Sequence, residues 1–459
     1  MESSEKTIQA PKNIPWYKLS YHAFSMLANP LKAIYNMIET YGDIFAFKIG
    51  NMRSFIFINH PDYVKHVLKD NVDNYSRGKA LKLSTTGLEE MLGNGIFISD
   101  GNDWEFQHKL LKGLFSPTAI EGTLPVLTNE IDKLITKWSD GLHGSNIVNV
   151  EYDIHLLMLQ IMLRSHVCEN YAFNFKEVFD TYNARIEASS WNVGAVSEAK
   201  SFFLKPLGIN YEYNKHQKHI DKLNAFADKL VAELIAEKFI PSGLFAVMLA
   251  EYKLQRVTLK DIRDQLFNFL LAGFETTATA ISWLLYNIAA QPLLQLKLVE
   301  EIRANKSESN DNLKQAITLQ LAIKESLRLY APVWSTARIA VKDDIIGGKF
   351  IKAKSVIVIN SYALHRHKII WPSGDNFSLD NFDKDNFRGK TFGYIPYSQG
   401  KRICIGMALA DYQIQTIVTA LLQSFHFETT SNKKPAVKAN IIIKASPAIQ
   451  LRLTKVSNY

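Results

Sequence analysis

The stretch Phe269 to Ala290, FLLAGFETTATAISWLLYNIAA, constrains this chain more than any other, because Glu275 is its only charged residue. An apolar run of that length has two physical outcomes. It can span a bilayer, which takes about 20 mainly apolar residues, or it can run as a helix through the middle of a water-soluble fold. Glu275, Thr276 and Thr277 stand together inside it, where a bilayer penalises polar side chains. Upstream the pattern continues as a polar-studded helix from Thr258, with Asp261 in capping-box register. A long helix buried in a soluble core is therefore the expectation.

At 459 residues the chain has the size to enclose such a helix, and its 47% hydrophobic and 21% charged content is ordinary for a globular enzyme. Two cysteines cannot make a disulfide framework, which points to a reducing, cytoplasmic compartment. The N-terminal MESSEKTIQAPKNIPWYKLS holds no apolar run, so neither signal peptide nor anchor is expected, and no membrane partner. A net charge of +8 with a pI near 9.0 suggests an acidic partner. No block of like charges marks a nucleic-acid-binding tail, so nucleic acid is not expected as a partner.

Neither a Gly/Ser linker nor a low-complexity tract nor an internal repeat divides the chain, so a single domain over 1–459 is expected, with residues 1–40 as a lead-in. Residues 43–59 alternate apolar and polar on either side of a Gly-Asn turn and predict a hairpin. Strands are predicted at 337–341, 354–360 and 449–454, and amphipathic helices at 126–138, 152–167, 216–238, 258–290, 292–304 and 314–329. The fold class is mainly α with small β-sheets at both ends, an α+β pattern dominated by helices.

Near the C-terminus, YSQGKRICIGMALA (Tyr397 to Ala410) contains Cys404. Ala410, Ile414, Ile417 and Leu421 follow at helical spacing, so the cysteine lies at a helix N-terminus. There the free amides of Ile405 and Gly406 and the helix dipole favour a thiolate. Gly400 permits a tight reversal, Gly406 lets a flat ligand approach, and Arg402 can pair with a carboxylate on that ligand. A thiolate beside room for a planar body and a carboxylate clamp describes an iron porphyrin with one cysteine ligand. The bland alternative is a buried structural cysteine.

This stretch resembles the haem signature of the cytochrome P450 superfamily, Phe-x-x-Gly-x-Arg-x-Cys-x-Gly, with Tyr397 where the family usually has Phe. Other segments resemble the family in its usual order, from about Tyr41 to Leu453. In KESLRLYAP, Glu325 and Arg328 resemble its Glu-x-x-Arg pair, a structural brace behind the haem, and Arg338 stands where members often place a propionate arginine. The third brace residue of the family is an arginine, and here SLDNF has Asn381 in that place, which can hydrogen-bond but carries no charge, so a brace that is weaker or built differently is expected. Trp104 and His108 resemble a Trp-x-x-x-Arg pair whose N–H groups serve the propionates. AGFETT (Ala272 to Thr277) resembles the oxygen-activation motif. The resemblance makes Thr276 the holder of a hydroxyl or water near bound oxygen and Glu275 the group that refills protons from solvent, with Ala272 and Gly273 leaving space. The bland reading of Thr276 is a hydroxyl bonded back to a helix carbonyl.

The resemblance implies a cytochrome P450 fold with haem b between the central helix and the helix after Cys404. The implied activity is monooxygenation of a hydrophobic small molecule with O2. The implied protein is a soluble, bacterial-type monomer without a fused reductase, taking electrons from an acidic ferredoxin or flavodoxin with its reductase. Lys109, Lys112, Arg388, Lys390 and Lys401 are the expected docking cations. A peroxide-driven enzyme and a non-catalytic haem sensor or carrier are the alternatives. Substrate selectivity is expected from residues 80–95, 170–215 and 444–448, and from Phe269, Ala272, Gly273, Val333, Trp334 and the residues to Thr336.

Overall fold

The apolar stretch forms one continuous helix in the computed structural model, which describes residues 9–48, 53–82, 92–142, 146–189, 213–304, 316–383, 387 and 391–456. Thr258 and Asp261 close the expected capping box: the Thr258 hydroxyl accepts from the Asp261 amide, and the Asp261 carboxylate accepts from the Thr258 amide at 2.8 Å. The helix runs as Leu259–Phe269, widens into a π turn over Leu270–Glu275, and resumes as Thr276–Ala289. It is long and apolar enough to cross a membrane, yet 78% of its most apolar window is buried inside the protein, as expected of a core helix.

Against it pack Val150–His166, Ile317–Leu329 and Met407–Ser424, and Leu124–Gly141 packs on the first and last of these. Their apolar faces merge into one hydrophobic cluster that takes in residues from Ile14 to Leu453. That continuity ties both ends of the described chain to the same core.

The predicted hairpin is present as Ile44–Phe47 paired antiparallel with Phe55–Ile58; its Gly-Asn turn lies outside the described residues. It belongs to a six-stranded sheet in the order Lys12–Asn13, Ile44–Phe47, Phe55–Ile58, Val356–Ile359, Thr336–Ala340, Tyr75–Ser76. A second core cluster, centred on Ile56, Ile357, Leu364 and Trp371, lies against it. Among the elements the sequence did not predict are a short edge strand and a C-terminal hairpin. Lys12–Asn13 is only two residues long and joins the sheet as a parallel edge strand. The hairpin Ala436–Ala439 with Ile443–Ser446 comes from a stretch of mixed polarity, where pairing rather than periodicity makes the strands.

Candidate active site

The buried face of the central helix is interrupted at its π turn. Phe269, Leu270, Leu271, Phe274 and Glu275 are buried, whereas Ala272 is exposed and Gly273 and Thr276 are partly exposed. A π turn adds one residue to the helical repeat and re-aims the side chains that follow. Cys404 is also exposed, on the short loop before Met407–Ser424. Phe115 joins the two walls: its ring is 6.0 Å from that of Phe269, and a Cβ on Gly406 would stand 3.4 Å from it.

Local backbone constraints shape the cysteine loop. Gly400 has φ +73°, and a Cβ there would lie 1.8 Å from the Leu68 carbonyl oxygen, so this position accepts glycine alone. The Cys404 amide then donates to the Tyr397 carbonyl at 2.9 Å, closing the loop. At Gly406 a Cβ meets nothing closer than Phe115, and the space it leaves open lies 4.0 Å from the sulfur. The Cys404 thiol is pushed up by the protein atoms packed around it, against the Gly406 amide and Arg77, which draw it down. Binding to a metal ion is what deprotonates such a thiol.

Beside the loop stands a group of guanidinium ions. Arg402 donates through Nη2 to the Ser99 carbonyl and to Asp100 Oδ1, both at 2.6 Å, and its guanidinium lies 4.1 Å over the Trp104 ring. Arg338 is 2% exposed, a core group rather than a surface strand arginine, and donates to Thr336 and Ala337. Arg77 lies 4.1 Å over the Phe97 ring. Desolvation, then mutual repulsion, lowers Arg77 to about 10 and Arg338 to about 9. Burying three cations with Asp100 as the counter-charge named for all of them is unfavourable unless further anions join. Arg402 Nη1 is also buried without a hydrogen-bond partner among the described residues. The donor set fits a dicarboxylate, as the two propionates of haem provide. Trp104 is buried with its ring 4.8 Å from that of His108, whose pKa is lowered by burial, Lys112 and Arg402, so the imidazole is a neutral neighbour.

The brace is built differently from the family's, with an amide in place of its third arginine. Every N–H direction of Arg328 is used: Nε and Nη2 grip the two Glu325 oxygens at 2.7 Å, Nη1 donates to the His365 and Gly374 carbonyls, and Nη2 also reaches Asn376. Both side chains are fully buried. Asn381 donates to Glu325 Oε1 at 3.0 Å and to Ser373, so an amide dipole stands in for the third charge. His365 continues the brace toward the loop: its Nε2 accepts from the Ile395 amide at 2.8 Å and its Nδ1 meets the Arg328 carbonyl at 3.1 Å. Burial first, then Arg366 and Arg328, lower its pKa to about 3, which keeps it neutral as that geometry requires.

On the central helix the expected acid–alcohol pair diverges. The Thr276 hydroxyl donates to the Ala272 carbonyl at 2.6 Å, the back-bonded geometry, with its oxygen left as an acceptor. Glu275 has no exposed surface, contrary to a direct link with bulk water. Tyr182 donates to it at 2.8 Å and Lys444 stands 3.4 Å away with its side chain 20% exposed, so Lys444 is its outward connection. The Gly273 hydrogen faces Met162, where a Cβ would come within 3.2 Å; its smallness serves helix packing rather than ligand space. Trp334 is likewise structural: it is buried and its indole donates to the Asn440 carbonyl at 2.7 Å. Val333 is 37% exposed, and Phe269 is buried with its ring against Phe115.

Arg77, Asp100, Tyr182, Lys444 and His365 carry no local motif. Their one sequence-level signal was indirect, since a glutamate in an apolar helix requires partners somewhere. Of the expected docking cations, Lys401 is paired with Glu105 at 3.0 Å, Lys109 and Lys112 are exposed, and Arg388 and Lys390 lie outside the described residues, as do parts of 80–95 and 170–215.

Known proteins share this architecture. The heme domain of cytochrome P450DA superimposes with a TM-score of 0.80 at 22% identity, covering 98% of each chain. Cytochrome P450 94A1 of Vicia sativa is 28% identical over 399 residues, 81% of this chain and 75% of that one. Leukotriene-B4 omega-hydroxylase 3 of Mus musculus is 24% identical over 456 residues, 93% of this chain and 85% of that one. The family model described as Cytochrome P450 matches residues 9–453. By that match over nearly the whole chain and by these relatives, this chain belongs to the cytochrome P450 family and is a haem-dependent monooxygenase.

Proposed function

We propose that this enzyme inserts one oxygen atom from O2 into a hydrophobic, lipid-like substrate, with electrons delivered by a separate acidic protein. The carrying observation is the notch of the central helix, where Ala272 and Thr276 come to the surface of an otherwise buried segment, with Phe115 bridging that helix at Phe269 and the cysteine loop at Gly406. Haem, when bound, supplies the oxygen-activating iron chemistry. Cys404 would ligate its iron, and Arg77, Arg338 and Arg402 would hold its carboxylates, with Trp104 packed against Arg402. The largely apolar candidate walls, Phe269 and Val333, favour an apolar substrate, and the relative named as a leukotriene hydroxylase supports a lipid.

Thr276 presents its hydroxyl oxygen, with the proton committed to Ala272, as an acceptor that fixes a water where protons are needed. Glu275, paired with Lys444 and Tyr182, supplies those protons by a route that runs through Lys444 to solvent. In Thr276→Ala we expect reductant to be consumed still while product per electron pair falls and released hydrogen peroxide rises. The loss is bounded by the roughly 10²–10⁴-fold typical of acid–base catalysis. Product, peroxide and reductant measured in one assay decide it. A fully coupled variant removes Thr276 from the mechanism, and a wild type that turns over with peroxide but never consumes reductant establishes the peroxide-driven alternative.

We further propose that the chain acts as a single, monomeric, cytoplasmic domain, in keeping with its continuous core and scarcity of cysteine. Lys109 and Lys112 are exposed, which supports an electron donor docking on the cysteine side. Charge reversal of both to Glu is expected to slow the first electron transfer from a soluble ferredoxin or flavodoxin roughly tenfold at low salt, with the difference vanishing at high salt. A rate and salt dependence equal to wild type place docking elsewhere.

A further inference from the structure

Asp264, Gln265 and Asn268 precede the apolar run of the central helix, and all three are buried, Asn268 to 1% exposure. Buried polar groups need partners, and these find theirs on one segment, residues 92–97. Asp264 Oδ2 accepts from the Asn94 amide at 2.9 Å, Gln265 Oε1 from the Ile96 amide at 3.3 Å, and Asn268 Oδ1 from the Phe97 amide at 2.9 Å. Asn268 also donates through Nδ2 to the Leu92 carbonyl at 2.8 Å, so one side-chain amide closes the segment from both ends. The fit excludes side chains on the facing backbone. A Cβ on Gly95 would stand 2.0 Å from Asn268 Nδ2, and one on Gly93 2.0 Å from the Asp264 carboxylate.

The same strap carries the guanidinium group. The Arg77 guanidinium lies 4.1 Å over the Phe97 ring, and a Cβ on the next residue, Gly78, would lie 2.1 Å from the Ile98 carbonyl oxygen. Further along, the Ser99 carbonyl and Asp100 Oδ1 accept from Arg402, both at 2.6 Å. We propose that Asn268 is a positioning residue that, by latching Phe97, sets where the Arg77 guanidinium stands and so how the haem carboxylates are held. This rests on the reading of Arg77 as one of their holders. The physical chain is short. A backbone amide fixed by a buried acceptor fixes the ring that follows it, and a guanidinium over that ring face is attracted to one place, more strongly where water is excluded. Asn268 stands one helical turn before Ala272, so the helix that carries the notch also places this cation.

The test uses the haem-loaded full chain and two readouts other than activity. One is the propionate bending band of the resonance Raman spectrum, which follows the hydrogen bonds on the carboxylates; the other is the rate of haem transfer to apomyoglobin. Asn268→Leu, similar in volume but without the polar atoms, is expected to shift the band and speed haem release roughly tenfold, the scale of one desolvated cation–π contact. Phe97→Leu is expected to do the same, and the double variant no more than either alone, because the two residues act in series. Gln265→Leu removes a strap bond that does not hold Phe97. It is expected to lower the unfolding midpoint yet keep the wild-type band. A wild-type band in Asn268→Leu overturns the proposal, as does an additive double variant. A band in Gln265→Leu shifted as far as in Asn268→Leu makes the whole strap merely structural and overturns it too. If Asn268→Leu does not fold, Asn268→Ser, which leaves room for water between the two backbone groups, takes its place in every comparison. The reduced carbonyl band separates the two readings: its persistence in the variants leaves the haem-thiolate assignment standing whatever the Raman band shows.

Discussion

Cys404→Ser is expected to abolish the red-shifted Soret band of the reduced carbonyl complex completely, while Cys168→Ser leaves it intact. The band reports a thiolate on iron, and a serine hydroxyl remains protonated and a poor donor in the same place. The two cysteines differ in every respect that matters. Cys404 is exposed on the cleft, on a loop whose backbone is pinned by Gly400 and Tyr397. Cys168 is 1% exposed just past the helix Val150–His166, within the apolar core, where burial pushes its thiol up. It is a small core side chain with no path to the haem. Carbon monoxide difference spectra of the two variants decide the assignment, and the band surviving in Cys404→Ser overturns it.

The second large effect is on stability. Arg328→Met removes the cation from a fully buried pair, leaving the Glu325 carboxylate with the Ser378 amide and Asn381. Breaking a buried pair from one side costs about 3–5 kcal/mol, because the remaining charge stays desolvated without its partner. The His365, Gly374 and Asn376 carbonyls lose a donor as well. We expect a clear fall in unfolding midpoint and loss of haem retention, since the brace reaches the cysteine loop through His365 and Ile395. Chemical denaturation measures it, and a midpoint within error of wild type shows the brace to be dispensable. Two buried histidines, His365 in the brace and His155 on the helix Val150–His166, make stability depend on pH. His365 and His155 are held near 3, well below the ordinary histidine value of 6.5, by burial first. Their native forms are neutral, so this part of the stability is present above about pH 6.5 and is lost as pH falls toward 3. Titrating the unfolding midpoint from neutral to acid reads that loss.

The departure at Asn381 shows how a brace can lose a charge and keep its function in the fold. An arginine there would bring a second guanidinium to Glu325; the amide brings one hydrogen bond to Oε1 and a second to Ser373, without another buried cation to neutralise. Fewer buried charges mean a smaller desolvation cost, which offsets the weaker individual bond.

What the sequence by itself determined is whatever depends on neighbours along the chain. The buried central helix followed from its uninterrupted apolar run and the Thr258–Asp261 cap, the hairpin at 43–59 from its alternation, and the cysteine loop from Gly400, Arg402 and Gly406 at fixed spacing. Glycine at 400 is dictated locally by its left-handed φ, although the Leu68 carbonyl that forbids a side chain comes from far away. Only the tertiary structure decided what each polar side chain faces. Glu275 and Thr276 are adjacent in sequence, yet successive residues on a helix point about 100° apart, and packing sends one to Tyr182 and Lys444 and the other back to Ala272. Arg77, Arg338 and Arg402 come from three separate segments and become one electrostatic unit because the sheet and the cysteine loop meet there. Hydrophobic periodicity records which face of a helix is buried; it holds no record of which distant charge will be buried against it, because that pairing is made by long-range packing alone.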